Sequence, residues 1–494
     1  MDQPALYTLT KSTYMKGIQC PKRLYLYNNH KVLSGHDAAA EQAAFNKGIN
    51  VGLLARQLFP GGKNASLSVT GNYHNAIQQT RKWIGQKEKV IYEAAFLFNK
   101  VLVAVDILVH TSGKWTAYEV KSSTEVKEQH IMDAALQYYV MVNSGLVLKD
   151  FGIIHINNEY ERQHMLDYSG LFQINPVKAE ILGQQDLTKN QLIRCQEIVQ
   201  LKDIPATGIG IHCSDPYACE FTGHCWQHIP EVSVFDLSRL PLNKKFELYN
   251  NGISRFDQLA ADYVLSPAQA LQVKAYLEQY THIDVPVIRQ WLTQLTYPLG
   301  FMDFETFMPA VPLYYKSRPY QHIPFQFSVH VQHNAESAVN HEAFLGYPEE
   351  DPRQGFIKAL IKATATCNTI LVYNKAFETC RLKELQQHFP EYSGKIQIIL
   401  EKIIDLMEPF QKKWYYTASM NGSYSIKVVL PALVPELNYK ELSICDGGTA
   451  MAAFEGMLNM KDAEEKEKIR TALLEYCKLD TWGMVRILEK LLSI

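Results

Sequence analysis

Two carboxylates and a lysine lie close together in one short stretch. Glu119 and Lys121 stand two apart in YEVK, so on a strand both point to the same face. Upstream, Val101, Val103, Val105 and Ile107 alternate along Lys100 to His110, a strand pattern that carries Asp106. Thr111-Ser112-Gly113 reads as a hairpin turn, and closing it brings Asp106 towards Glu119 and Lys121. Two carboxylates can hold Mg²⁺ or Mn²⁺, ions that take few protein ligands and keep several waters. The lysine can orient a water and offset charge on a phosphate under attack. An ordinary ion pair on a surface hairpin is the alternative.

A second acidic set follows in the C-terminal half. Asp303 and Glu305 share one face of a strand-like run, LGFMDFETF. The apolar run TILVYN reads as a strand ending at Asn374, with a helix opening near Glu378. Tyr476 and Asp480 are four apart on a late helix and fall on one side of it. Four carboxylates can hold two metal ions about 4 Å apart, and a nearby tyrosine can position the attacking water. Asp405, in IIDLMEPF, rivals Glu378 as the third acid. Lys427 and the aromatics of SRPYQHIPFQFSVHVQ line either a nucleic-acid path or a sheet core and a loop.

Nine cysteines are present, and three of them, Cys213, Cys219 and Cys225, form C-x5-C-x5-C. Cys20 lies far upstream, in GIQCPKRLYLY. A 4Fe–4S cluster needs four thiolates, and a run containing Pro216 and Gly223 can wrap one. Zinc more often takes C-x2-4-C pairs, disulfides fit poorly in a chain with no secretion signal, and unrelated buried thiols complete the alternatives. Cys195, Cys367, Cys380, Cys445 and Cys477 lack ligand spacing and read as buried structural thiols.

The elements that must position these groups fit a soluble globular chain of 494 residues, 47% hydrophobic and 20% charged. The net charge of −2 announces no global basic field for nucleic acid. No run of 18 apolar residues and no charged, then apolar, leader occurs, so a cytoplasmic protein without a membrane segment is expected. Thr10 to Asn29 reads as helical, with Lys22, Arg23, Tyr25 and Tyr27 either meeting a nucleic-acid strand or packing as an ordinary face. Ala38 to Leu58 is helical by pattern and ends at PGG. Three parts are expected: residues 1–230, a small helical linker at 231–290 around Gly252, and residues 291–494. The linker is either helix-hairpin-helix-like, with backbone N–H groups for a phosphate, or a plain spacer.

Asp106-x12-Glu119-x-Lys121, followed by Gln137-Tyr138 on a helix, resembles the PD-(D/E)XK nuclease core of the RecB-like branch. The resemblance implies a restriction-endonuclease-like fold, with Asp106 and Glu119 as metal ligands and Lys121 and Gln137 assisting. Gly52 stands where that family often has a metal-binding histidine; Glu93 is a substitute and Glu41 a weaker one. One cysteine before and three after such a core resemble the iron–sulfur staple of AddB-type and CRISPR-associated RecB-like nucleases. That implies a structural 4Fe–4S cluster on Cys20, Cys213, Cys219 and Cys225.

The C-terminal set is similar to the DnaQ-type 3′–5′ exonucleases, an RNase H-like fold, in their tyrosine-bearing form. Asp303, Glu305, Glu378 and Asp480 would then be ligands and Tyr476 the water-positioner, although Glu378 stands where aspartate is commoner. Together the two modules resemble a family of uncharacterised bacterial proteins that join an iron–sulfur RecB-like nuclease to a DnaQ-like domain. The resemblance implies an α/β protein that acts as a metal-dependent deoxyribonuclease. Its substrate would be single-stranded DNA or DNA ends, in repair, recombination or defence. An RNA-processing exonuclease and a nucleic-acid-binding scaffold with degenerate centres are the other classes.

Overall fold

The computed structural model of this chain describes residues 7–35 and 48–494. Glu41 lies outside the described residues. The fold is mixed α/β and divides into two compact units. The first comprises Met1–His228 and Ala310–Tyr320, the second Ile229–Pro309 and Gln321–Ile494.

The first unit is built on one seven-stranded sheet. Its strands are β1 (Leu9–Thr10), β2 (Lys63–Asn64), β3 (Val90–Phe98), β4 (Val101–Thr111), β5 (Lys114–Lys121), β6 (Leu148–Ile156) and β7 (Phe172–Pro176). They run in the order β2-β3-β4-β5-β6-β7, with β1 pairing parallel to the start of β4. The alternation of valines in β4 does what its period requires: Val101, Val103 and Val105 are buried in one core. The hairpin turn falls on Ser112 and Gly113, both at positive φ (51° and 77°), the geometry whose twist suits two antiparallel strands.

Helix α1 (Lys11–Gln19) follows β1 directly, and α2 (Pro21–Asn29) follows α1 after the single residue Cys20. Pro21 breaks the run because proline forces the preceding residue into extended backbone; Cys20 has φ −157° and ψ 120°. Helices α3 (Glu128–Asn143) and α4 (Gln185–Ile198) complete the layer on that face. Arg23 and Tyr25 of the basic-aromatic tail of α2 turn inward, while Lys22 and Tyr27 are half-buried. Arg23 is buried against Glu220 at 2.6 Å, and the Tyr25 hydroxyl donates to the Lys202 carbonyl at 2.8 Å. An apolar-free charge such as Arg23 enters a core only with its counter-ion.

The second unit holds strands β8 (His282–Ile283), β9 (Leu299–Phe307), β10 (Ile323–Gln332), β11 (Val339–Leu345), β12 (Thr369–Val372), β13 (Ile403–Asp405) and β14 (Tyr415–Tyr416). Five form a sheet in the order β11-β10-β9-β12-β13. The first three pair antiparallel, and β12 and β13 add parallel to β9 and to each other. Helix α5 (Lys375–His388) leaves the end of β12, and the 30-residue α6 (Ala463–Leu492) packs its buried stripe, Leu473, Tyr476, Cys477, Asp480 and Met484, at helical spacing.

The segment at 231–290 packs within this second unit. Ser238 Oγ donates to the Gly422 carbonyl at 2.7 Å, and β8 pairs with β14. Gly252, at φ +82°, closes the first helix of that segment, and its N–H is spent on the Tyr249 carbonyl at 2.9 Å. That donor is therefore committed to the turn. Among the described residues no helix is long and apolar enough to cross a membrane.

Candidate functional site

In the first unit, β4 and β5 stay in register as far as Ile107 opposite Tyr118, and the ladder stops at the next pair, Asp106 and Glu119. The side chain of Asp106 takes over there, its Oδ2 accepting the Val120 N–H at 2.6 Å. On the other side of β4 the β3 ladder runs through Tyr92–Ile107 and Ala94–Val105 but skips Glu93, whose φ is +54°. A left-handed glutamate inside a strand is rare. The interruption leaves Glu93, Asp106 and Glu119 in the wall of a cleft of about 890 Å³. Gly52 lies in the same wall, with open space where a side chain would start.

Glu119 is fully enclosed by partners. Its Oε1 accepts from Lys121 Nζ at 2.7 Å and from Lys11 Nζ at 2.5 Å, and its Oε2 accepts from Gln137 Nε2 at 2.8 Å. Asp133 closes the ring, accepting from Lys121 at 2.5 Å and Gln137 at 3.2 Å. Burial alone would push the Glu119 carboxyl up, but Lys11 and Lys121 outweigh it and hold it far below the usual range. Burial, reinforced by the Glu119 charge, pushes Asp106 well above its usual range, and burial also raises Glu93 against the pull of Arg56 at 2.8 Å.

The fold thus brings Asp106, Glu119, Lys121 and Gln137 to one place, with Glu93 on its rim. Gln137 is wholly buried and holds carboxylates rather than facing the cleft. Sequence reasoning missed Lys11 and Asp133. Asp133 had a readable signal, being four residues before Gln137 on one helical face. Lys11 had none.

In the second unit, β9 carries Asp303 and Glu305, and α6 lies against it with Tyr476 and Asp480. Oxygens of Asp303, Glu305 and Asp480 all lie within 4.8 Å of one another. With Glu378, Tyr476 and Lys427 they line a pocket of about 220 Å³. One buried oxygen of Glu378, Oε2, has no hydrogen-bond partner. Burial, then the neighbouring carboxylates, pushes Asp303, Glu305 and Glu378 well above their usual range. Burial raises Asp480 to about 6, against the hydrogen bond from Tyr439 and the charge of Lys427.

Tyr439 donates to Asp480 Oδ1 at 2.6 Å, and Lys427 sits over the rings of Tyr439 and Tyr476 at 5.6 and 5.3 Å. Tyr439 was missed from the sequence because it comes from a loop 41 residues away. Asp405 is not in this pocket. Its carboxylate accepts the N–H groups of Asn374, Lys375 and Met407 at 3.0–3.1 Å, so it caps the start of α5.

Cys20 sits at the corner between α1 and α2, and the loop carrying Cys213, Cys219 and Cys225 folds beside it. Gln19 Nε2 donates to the carbonyls of His212 and Tyr217, both at 2.7 Å, and Lys16 joins Arg23 on Glu220. Burial raises Cys20, Cys219 (to about 11) and Cys225, and the charges of neighbouring cysteines raise each further. Backbone N–H groups of Lys22 and Arg23 beside Cys20, and of Phe221 beside Cys219, act against that rise. All nine cysteines are free thiols. Cys195, Cys367 and Cys477 are buried as expected, whereas Cys380 and Cys445 are exposed.

A family model described as a domain of unknown function (DUF2779) matches residues 300–425, a span that begins on β9 and includes α5. The chain is 28% identical over 205 residues to an uncharacterized protein, the MG366 homolog, of Mycoplasma pneumoniae, covering 38% of this chain and 31% of that one. It is 32% identical over 138 residues to the uncharacterized protein UU173 of Ureaplasma parvum, covering 24% and 19%. The chain thus spans less than a third of the length of these curated relatives. A family B DNA polymerase from the archaeon Pyrobaculum calidifontis is similar at 14% identity over 39% of this chain and 24% of that one, with a TM-score of 0.25, too low to assign a fold. By sequence, this chain is similar to the DUF2779 domain across residues 300–425.

Proposed function

We propose that the protein is a metal-dependent nuclease that hydrolyses phosphodiester bonds of DNA with single-stranded character. It has one centre of PD-(D/E)XK type in the first unit and one of DnaQ-like 3′–5′ exonuclease type in the second. The observation that carries the reading is the convergence of Asp303, Glu305 and Asp480 within 4.8 Å, with Glu378 and Tyr476 lining the same pocket. Among the described residues none of these four carboxylates forms an ion pair, and one buried Glu378 oxygen has no hydrogen-bond partner, a donor set that suits a cation. Buried, mutually repelling carboxylates of this kind suit a divalent ion better than they suit each other. A sheet whose first strand is central, flanked antiparallel on one side and parallel on the other, agrees with an RNase H-like arrangement.

Asp303, Glu305, Glu378 and Asp480 would hold Mg²⁺ or Mn²⁺ in the second unit, and Asp106, Glu119 and Glu93 would do so in the first. The bound ion would supply an activated water and stabilise the leaving oxygen. Tyr476 keeps its phenolic proton, because burial and the Asp480 charge push it well above its usual range, and so can donate to an incoming water or phosphate oxygen. Tyr439 fixes the Asp480 carboxylate by its short hydrogen bond. Lys427 brings a cationic side chain to the pocket lining, its Nζ donating to the Cys445 carbonyl at 2.8 Å, and would offset charge on a bound phosphate.

In the first unit Lys121 is held by Glu119 and Asp133 where it can offset charge on a phosphate, and Gln137 keeps both carboxylates oriented. The four-cysteine set suits a 4Fe–4S cluster: four free thiols, with backbone N–H groups beside Cys20 and Cys219. Held there, it would staple the two ends of the unit and limit the entropy of a long loop.

The test is cleavage of end-labelled single-stranded DNA, beside a matched RNA strand, with Mg²⁺ or Mn²⁺ and protein purified without oxygen. Metal-dependent cutting that Asp480→Asn or Lys121→Ala abolishes supports the reading and assigns the centre. A parent protein that leaves DNA intact under both metals refutes it, and cutting of RNA alone moves the substrate to RNA.

A further inference from the structure

Lys11 reaches Glu119 from 108 residues away, and nothing about its own helix asks for it. It is the first residue of α1, where the positive end of the helix dipole disfavours a cation. Both acids it touches already have a lysine. Lys121 lies 2.7 Å from Glu119 and 2.5 Å from Asp133, while Lys11 lies 2.5 Å and 3.5 Å from the same two oxygens. Two ammonium groups therefore crowd one carboxylate oxygen, and the outer of the two is Lys11, with 30% of its side chain exposed against 19% for Lys121.

Its position is built from both ends. The residues just before it, Leu9 and Thr10, pair with Val101 and Leu102 of β4. The far end of α1 is tied to the cysteine loop through Lys16 and Gln19, and Tyr14 donates to Gln191 of α4 at 2.7 Å. Gly17 packs against the Cys195 sulfur so closely that a Cβ there would lie 2.6 Å away. A lysine carried by a helix anchored in this way, in the wall of the 890 Å³ cleft that Thr10, Ser12 and Arg56 also line, meets the requirements of an anion site.

We propose that Lys11 is a substrate-binding residue of the N-terminal centre, releasing Glu119 to grip a phosphodiester oxygen of the strand while Lys121 stays on Asp133. The inference rests on the nuclease reading of that centre and deepens it. Of the two described cationic side chains that line the cleft, Lys11 is the more exposed, 30% against 15% for Arg56, and Arg56 is engaged by Glu93.

The experiment compares Lys11→Met and Lys11→Arg in an Asp480→Asn background, which leaves the first centre as the one able to cut. Binding of a fluorescein-labelled oligothymidylate in Ca²⁺ is read by anisotropy across a salt series, beside cleavage kinetics in Mg²⁺. Lys11→Met is expected to weaken binding about tenfold, to raise KM more than it lowers kcat, and to flatten the slope of log K against log salt by about 0.7. Lys11→Arg restores most of the affinity and all of the slope. If Lys11→Met binds with the parent's affinity and slope, the inference is overturned and the nuclease reading stands. Loss of binding in both variants together with a lower melting temperature makes Lys11 a structural residue, which also overturns it. A parent that binds no strand removes the nuclease reading of this centre and the inference with it.

Discussion

Neutralising Asp480 is expected to stabilise the metal-free protein while destroying its second centre. Asp480 is buried, and burial lifts its carboxyl from 3.8 to about 6. A carboxyl displaced upwards favours the folded state fully below the unfolded value near 3.8, and that favour is lost as pH rises through about 6. At about 1.4 kcal/mol per pH unit, the ionised form costs the folded protein about 3 kcal/mol by pH 8 and about half of that at pH 5. Asn keeps an oxygen for the Tyr439 hydroxyl and carries no charge, so Asp480→Asn recovers most of that cost.

For a unit of this size about 3 kcal/mol corresponds to a rise of about 6–12 °C in the melting transition. Scanning calorimetry in EDTA at pH 8 and pH 5 reads it directly, with a clearly larger gain at the higher pH. Added Mg²⁺ or Mn²⁺ then raises the transition of the second unit in the parent and not in the variant, because a ligand raises stability only where it binds the folded state. A variant no more stable than the parent at pH 8, or equally stabilised at both pH values, refutes the electrostatic account of this cluster.

Asp133→Asn removes the acid that Lys11, Lys121 and Gln137 share; a loss of about 2 kcal/mol or more in denaturant unfolding is expected, along with impaired cutting at the first centre. Protein purified without oxygen is expected to carry about four irons per chain, and Cys213→Ser to lose most of them; about one zinc and no iron would replace the cluster by a zinc site. Gly17→Ala forces a methyl against Cys195 Sγ at 2.6 Å and Leu24 Cδ2 at 2.8 Å, so a cost of about 1–3 kcal/mol is expected, measured as a lower denaturation midpoint.

What the sequence determined by itself is everything carried by a short period. The alternating valines of β4, the spacing of two in Glu119–Lys121 and Asp303–Glu305, and the spacing of four in Tyr476–Asp480 each place side chains on one face of one element. The two-residue turn at Ser112–Gly113 is local in the same sense, because a hairpin with that twist needs residues that accept positive φ. The end of β12 and the opening of α5 near Glu378 were legible for the same reason.

The tertiary structure decided which distant groups complete each centre. Lys11 and Tyr439 reach their carboxylates across 108 and 41 residues, and no periodicity links them. It also decided which charged groups are spent elsewhere. Asp405 looks like a metal acid in the sequence but accepts two N–H groups at the start of α5, from Asn374 and Lys375, and that of Met407 beside it. Arg23 and Tyr25 look like a strand-binding tail but meet Glu220 and the Lys202 carbonyl from the far end of the unit. A buried polar group must find a partner, and which partner lies within 3 Å is settled only when separate stretches of chain pack.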